Sequence, residues 1–233
     1  MVLRKEKFID YWESKHNNPK YQHGLLNPMI EGEIRQLNIK TDEFILDHGC
    51  GQGRISLILS EYTKNIIIND ISISAINITQ TKLTKIDTPI HPYSFCSDIY
   101  DVLLNEKLNY IVSHRVFHTM PEDQRLKCLD FFYKNLKQNG KLFLSAKSVS
   151  CPRLKLLRKN LDFVHLHDSE NTFVRSEQFK FVHYFNINEL IRDVESVGFK
   201  LIKALEFKEA TGNKCRAGKT KLNHYILTIS EKK

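Results

Sequence analysis

The sequence predicts an α/β domain in which short buried strands alternate with amphipathic helices. Three observations lead there. Short apolar runs recur and lead to an acidic residue: Ile45-Leu46 before Asp47, Ile66-Ile67-Ile68-Asn69 before Asp70, and Tyr93-Ser94-Phe95-Cys96 just before Asp98. Between the first run and the next helical stretch stand Gly49, Gly51 and Gly53 at alternate positions, where a strand turning sharply into a helix needs residues without a Cβ. Asp70 follows Asp47 by 23 residues, which is where a strand–helix–strand unit would end its second strand.

The elements follow in order. Residues 4–16 set Phe8, Ile9, Tyr11 and Trp12 at helical spacing among charges and predict an amphipathic opening helix. A polar stretch through Asn17, Asn18, Pro19 and Gly24 leads to Asn27-Pro28, an N-cap and first-turn proline for a helix burying Ile30, Ile34 and Leu37. Past the glycine turn, Ile55, Leu57, Ile58 and Leu59 open a helix, and residues 74–85 form another after the second strand. The third strand is 93–96 and the fourth 110–112. A helix over 122–136 carries Leu126, Leu129, Phe132, Tyr133 and Leu136 on one stripe, with Asn139-Gly140 closing it before a strand at 141–146. Residues 147–185 break the rhythm with Pro152, a basic patch (Arg153, Lys155, Arg158, Lys159) and a polar stretch through Arg175. A helix over 187–197 stops at Gly198, and strands at 199–207 and 225–229 flank a loop, 208–223, rich in lysine and glycine.

With 233 residues, 41% of them hydrophobic, the chain has room for one sizeable core. The expected division is an N-terminal lid (1–26), a central core (27–146), a cap (147–185) and a C-terminal helix with two strands (186–233). No run of about 18 apolar residues exists, and the opening Met-Val-Leu-Arg-Lys-Glu-Lys-Phe has no signal-peptide stretch, so the expectation is a cytoplasmic protein with no membrane partner. Cys50, Cys96, Cys128, Cys151 and Cys215 contain no Cys-x-x-Cys pair, which fits reduced thiols and gives no zinc signature. Of the net charge of +8, residues 1–149 hold +2 (19 basic, 17 acidic) and residues 150–233 hold +6 (16 basic, 10 acidic). The excess favours an anionic partner toward the C-terminus.

The glycine spacing separates two kinds of nucleotide cradle. A dinucleotide fingerprint has its third glycine three residues after the second; here it comes after two and Arg54 holds the expected place, which disfavours NAD and FAD. The run Asp47-His48-Gly49-Cys50-Gly51-Gln52-Gly53 resembles instead the first motif, Asp/Glu-x-Gly-x-Gly-x-Gly, of the class I S-adenosylmethionine-dependent methyltransferases. The resemblance spans roughly residues 27–233, because the last helix ends in Gly198-Phe199 before two strands similar to the sixth and seventh of that fold. It implies a Rossmann-like, seven-stranded, mostly parallel sheet with an antiparallel last strand, helices on both faces, a small N-terminal lid and an acceptor cap.

The resemblance also implies a site. S-adenosyl-L-methionine would lie against Gly49, Cys50, Gly51 and Gly53 with Asp47 as a fixed charge beside it. Asp70, followed by Ile71, would accept the ribose hydroxyls; Asp98 would take the adenine amino group with Ile99 as its flat neighbour; Ser113 and the lid residue Tyr21 complete the cofactor set. Methyl transfer from a sulfonium is an in-line displacement, so a protein chiefly aligns the nucleophile and supplies a base where one is needed. The segment Ser113-His114-Arg115-Val116-Phe117-His118-Thr119-Met120-Pro121 faces the methyl group in this family and resembles its small-molecule members. It lacks the Asn/Asp-Pro-Pro-Tyr grip on planar amines, and Ser113-His114 replaces the carboxylate that holds magnesium in metal-assisted members, so no metal is expected.

His183-Tyr184-Phe185 before a helix resembles the stretch that closes the acceptor pocket in tellurite-resistance-type methyltransferases. His114, His118 and His183 are therefore candidate bases, since imidazole titrates near neutral pH, with His165 and His167 near the same segments. Tyr11, Tyr184, Arg115, Arg153, Arg158 and Arg175 are candidate acceptor contacts, because guanidinium forks match phosphate and carboxylate oxygens. The expected function is O-methylation of an anionic small molecule, such as a phosphorylated or nucleotide-linked precursor of a surface sugar. The alternative is an RNA methyltransferase that tracks the backbone with the basic C-terminal part, which the absence of aromatics between Phe207 and Tyr225 weakens. A binding module without chemistry is the third reading, and the set Asp47, Asp70 and Asp98 argues against it.

Overall fold

The computed structural model describes residues 5–18, 26–158, 164–165, 171–175, 180–214 and 220–233. The strands in chain order are β1 (Ile45–His48), β2 (Ile66–Asp70), β3 (Tyr93–Cys96), β4 (Leu108–His114), β5 (Leu136–Lys147), β6 (Val164–His165), β7 (Thr172–Arg175), β8 (Lys180–His183), β9 (Phe199–Lys214) and β10 (Thr220–Lys232). Seven of them make one sheet in the order β3-β2-β1-β4-β5-β10-β9, and β6-β7-β8 form a small second sheet. Neighbours among β1 to β5 are parallel, whereas β10 runs antiparallel to both β5 and β9. The expected Rossmann-like sheet is thus present.

A parallel sheet covered on both sides requires apolar residues at consecutive positions, which is why its strands read as unbroken runs. Here Ile45, Ile66, Ile68, Val112 and Phe143 pack to one side with Ile30 and Ile34 of α2 (Pro28–Arg35), Ile55 of α3 (Arg54–Leu59) and Ile76 of α4 (Ile73–Leu83). Their neighbours Leu46, Ile67, Ile111, Leu142 and Leu144 pack to the other side with Leu129 and Phe132 of α5 (Glu122–Asn135) and Leu190 and Val194 of the helix Ile187–Ser196. Each fully buried aliphatic side chain contributes about 1.5–3 kcal/mol. A one-residue slip of any strand would exchange its two sets of contacts, so the register is tightly specified.

Local chemistry starts the helices where the sequence places them. The Asn27 side chain accepts the Met29 N–H, Ser72 accepts that of Ala75, and Asn186 forms a reciprocal capping box with Glu189. Each such cap is worth about 1 kcal/mol. Two further helices are α1 (Lys5–His16) and α6 (Pro152–Leu157); Ile187–Ser196 is α7. No helix among the described residues is long and apolar enough to cross a membrane.

Three expectations change. The helix α5 ends at Asn135, and Asn139-Gly140 lies inside β5 rather than before it; Asn139 takes a φ of +62°, and Gly140 sits so close to β4 that a Cβ would fall 3.1 Å from the Asn109 carbonyl. Where the strand–helix alternation breaks, at 147–185, the described residues include α6 and the three strands of the small sheet. Much of the expected 208–223 loop is strand, with Glu209 opposite Asn223 and Lys208 opposite His224. Backbone pairing in a hairpin does not depend on apolar side chains, so lysine-rich composition concealed it.

Candidate functional site

Ligands of an open α/β sheet bind beyond the carboxyl ends of its strands, where the strand order reverses. In this sheet that point lies at β1, between β2 and β4. There the glycine turn is held from three directions. Gly49 N–H and Cys50 N–H both donate to the Asn69 carbonyl, at 2.8 and 3.0 Å. Gly51 N–H donates to Asp70 Oδ2 at 3.0 Å, and Thr79 Oγ1 donates to the Gly51 carbonyl at 3.0 Å. All three glycines have left-handed φ values of +70°, +53° and +77°. Gly49 also needs its missing side chain: a Cβ there would come within 2.2 Å of Val116 Cγ2.

The turn forms one wall of an open cleft. Of the residues assigned to the cofactor from sequence, Gly49, Cys50, Gly51, Asp70, Ile71, Asp98 and Ile99 line it. Asp70 sits at the end of β2 with Oδ1 accepting the Ser72 N–H at 3.0 Å. Burial pushes its carboxyl upward, opposed by the Ser72 and Gly51 N–H groups and by His16. Phe8, Trp12 and His16 of α1 line another side. That helix is tied down by Glu13, whose carboxylate accepts Ser72 Oγ at 2.7 Å and the hydroxyl and N–H of Ser74, at the N-terminal end of α4. Burial lowers the His16 imidazole, with Asp70 and then Glu13 pulling it back up.

At the end of β4, His114, Arg115 and His118 line the same cleft. Arg115 adopts a φ of +67°, a conformation that costs a non-glycine residue about 1–3 kcal/mol and persists only where the surroundings impose it. Its N–H donates to both the carbonyl and the hydroxyl of Ser145, each at 3.1 Å, and its guanidinium lies 5.1 Å from the Tyr225 ring centre. Nη1 of Arg115 is 3.2 Å from Glu209 Oε2, while Nη1 of Arg54, at the start of α3, is 3.6 Å from Glu209 Oε1. His114 Nδ1 is bonded to Ser145 Oγ at 2.8 Å. His118 meets the Tyr225 ring edge-on at 6.1 Å.

Several expected residues stand elsewhere. Asp47 is buried, accepts Ser56 Oγ at 2.5 Å and is absent from the cleft wall; burial pushes its carboxyl up to about 7. Ser113 is buried against His48 Nδ1 at 2.9 Å, and burial takes that imidazole down to about 3. Gly53 serves packing, since a Cβ would lie 3.1 Å from Thr79 Cγ2. His183 uses both ring nitrogens, Nδ1 with Thr172 Oγ1 and Nε2 with Glu189 Oε1, each at 2.7 Å. The carboxyl of Glu189 is held below its ordinary value because His183, Asn186 and Arg125 outweigh the opposing effect of burial.

Tyr184 is fully buried against Phe173, and Tyr11 packs against Trp12 beneath Lys15 instead of lining the cleft. Arg153 and Arg158 are exposed, the latter donating to Asn171. Tyr21, His167, Lys159, Cys215 and the side chains of His165 and Arg175 lie outside the described residues. The sequence reading took Trp12 for helix packing rather than a lid over the cleft, and it missed His16 and Arg54 in the cleft wall and Glu209 and Tyr225 against Arg115. Arg54 carried one signal, its place directly after the glycine run; Glu209 carried none. Among the described residues no three His, Cys, Asp or Glu side chains are grouped to hold a metal.

A family model described as a methyltransferase domain matches residues 21–204. No curated protein matches the chain. Among solved structures, an S-adenosylmethionine-dependent methyltransferase from Methanosarcina mazei is 21% identical, with 90% of this chain and 99% of that one covered and a TM-score of 0.66. TehB from Haemophilus influenzae is 18% identical over 97% of this chain and 67% of its own, with a TM-score of 0.64. The N-methyltransferase NodS from Bradyrhizobium japonicum, solved with S-adenosylhomocysteine, is 13% identical over 97% and 98%, with a TM-score of 0.65. At these identities the likeness is one of fold.

Proposed function

The chain belongs to the methyltransferase domain family, and we propose that this S-adenosylmethionine-dependent enzyme methylates an oxygen of an anionic small molecule seated at the β4 end of the cleft. The observation behind the acceptor class is Arg115, a cation lining the cleft on a strained backbone and braced by Ser145, Tyr225 and Glu209. A phosphorylated or nucleotide-linked precursor of a surface sugar is one acceptor of this kind.

The residues present fit the cofactor. Gly49 and Gly51 keep side chains out of a turn that borders the cleft, and Asp70 and Asp98 add acceptors for hydroxyl and amino groups along it. When bound, S-adenosylmethionine supplies a methyl group on a positively charged sulfur, which a nucleophile displaces in line. The chain's own residues do the rest. Arg115 orients the acceptor through its anion, and His114 or His118 takes the proton from the attacking hydroxyl. Phe8 and Trp12 exclude water from the side covered by α1, and an aromatic face suits a sulfonium.

The test is incubation with radiolabelled S-adenosylmethionine and extract fractions of small metabolites, protein and nucleic acid. Label should enter the small-metabolite fraction. Arg115→Ala should remove that labelling while S-adenosylhomocysteine affinity stays within about twofold, because acceptor and cofactor contacts are separate. Label in nucleic acid instead would overturn the acceptor class.

A further inference from the structure

We infer that Glu13, which does not line the cleft, sets how long S-adenosylmethionine stays there by latching α1 over it. The inference rests on the cofactor reading of the cleft given above and adds the residue that holds the lid in place. Phe8, Trp12 and His16 of α1 line the cleft, while Glu13 of the same helix is bonded to the start of α4. Its Oε2 accepts Ser72 Oγ at 2.7 Å and the Ser74 N–H at 3.3 Å. Its Oε1 accepts the Ser74 hydroxyl and, at 3.0 Å, Asn17 Nδ2.

Burial raises the Glu13 carboxyl, but the bonds from Ser74, Ser72 and Asn17 outweigh it and hold the group below its ordinary value, so it is ionised at neutral pH. A negative charge suits this place, because the first N–H groups of a helix have no partner within it and that end carries partial positive charge. Hydrogen bonds to a charged acceptor are roughly twice as strong as neutral ones. Apolar burial holds α1 less firmly than it holds the helices on the sheet, since Phe8, Ile9, Tyr11 and Trp12 are all half-buried. The latch also meets the cofactor contacts: Ser72 gives its hydroxyl to Glu13 and its N–H to Asp70 Oδ1, so one residue holds both the lid and the carboxylate assigned to the ribose. For α1 to swing away from α4 these bonds must break, which makes their strength part of the barrier to cofactor exchange. Glu13 is a positioning residue.

Association and release of S-adenosylhomocysteine are measured by surface plasmon resonance on the immobilised protein, and lid position by acrylamide quenching of Trp12, the only tryptophan in the chain. Glu13→Ala should speed release by roughly tenfold, the scale of one lost charge-assisted bond, leave association equal or faster, and increase the quenching of Trp12. Ser74→Ala should act in the same direction more weakly and add little to Glu13→Ala, because both break one latch. A release rate within about twofold of the wild type, slower association, or faster release without greater quenching overturns the inference while leaving the cofactor reading intact. Failure of the wild type to bind S-adenosylhomocysteine removes both. Should Glu13→Ala not fold, Glu13→Gln, which keeps the length of the side chain and loses its charge, decides by the same rates and the same quenching.

Discussion

The two ends of the cleft are made of different materials. At the glycine end the main chain does the work: three residues at positive φ, two N–H groups on the Asn69 carbonyl and a third on Asp70. At the β4 end side chains do it, with Arg115 braced by Ser145, Tyr225 and Glu209 from three different strands. Main-chain geometry is dictated by a few neighbouring residues and tolerates little change. A side-chain assembly draws on distant segments, so it can be altered piece by piece, and the acceptor can differ between proteins that share one cofactor and one fold.

The largest effect should come from giving the glycine end a side chain. Gly49→Ala puts an L residue at φ +70° and a Cβ 2.2 Å from Val116 Cγ2. Stability should fall by roughly 2–5 kcal/mol and S-adenosylhomocysteine binding should vanish. Pairing it with Val116→Ala should relieve the overlap but not the φ strain, recovering part of the melting temperature. Full recovery would mean that the backbone conformation is not what matters there.

Asp70→Ala tests the carboxylate on which, with Thr79, the main-chain end depends. Charge-assisted hydrogen bonds contribute about 1.5–3 kcal/mol each, so S-adenosylhomocysteine affinity should drop by tenfold or more. Some loss of stability should accompany it, because Gly51 N–H and Ser72 N–H lose their acceptor. A folded variant with unchanged affinity in calorimetry would refute the assignment of Asp70 to the ribose.

A smaller effect is expected at His183, which the comparison puts with neither end. Its two bonds join β7 to α7 through Thr172 and Glu189. His183→Ala should lower unfolding free energy by about 1–3 kcal/mol without changing turnover of the folded fraction. Turnover lost beyond the loss of fold would restore it as a base.

The smallest effect is a slope. The carboxyl of Asp47 stands at about 7 in the folded protein against an ordinary 3.8, so the folded state holds the proton more tightly. Its contribution to stability is complete below pH 4 and is lost as the pH rises through 7. Asp47→Asn keeps an acceptor for Ser56 and cannot ionise, so its stability relative to the wild type should increase across that window. Denaturant melts from pH 4 to 8 showing a parallel dependence would contradict this.

These cases mark how far the sequence could be read. The cap at Asn27, the end of α7 before Gly198 and the limits of β3 were visible because each depends on residues a few positions apart. The small sheet and the long β9–β10 hairpin were not, since strand pairing in polar segments leaves no apolar period. Histidines were misread for a related reason: His183 and His118 look alike in sequence, and only their partners separate a residue with both nitrogens engaged by Thr172 and Glu189 from one that lines the cleft.

By itself the sequence determined the order of strands and helices in the main sheet, the turn at Gly49, Gly51 and Gly53, the acidic residues Asp70 and Asp98 beside it, and through them the family. All of these follow from hydrophobic period, missing Cβ atoms and the length of one strand–helix–strand unit, which are properties of adjacent residues. Tertiary structure alone decided that Asp47 turns inward to Ser56, that Arg153 and Arg158 face solvent, and that Arg54, Arg115 and Tyr225 gather about Glu209. The antiparallel register of β9 against β10 brings Glu209 to α3 and β4, and a contact between residues so far apart in the chain has no local pattern to announce it.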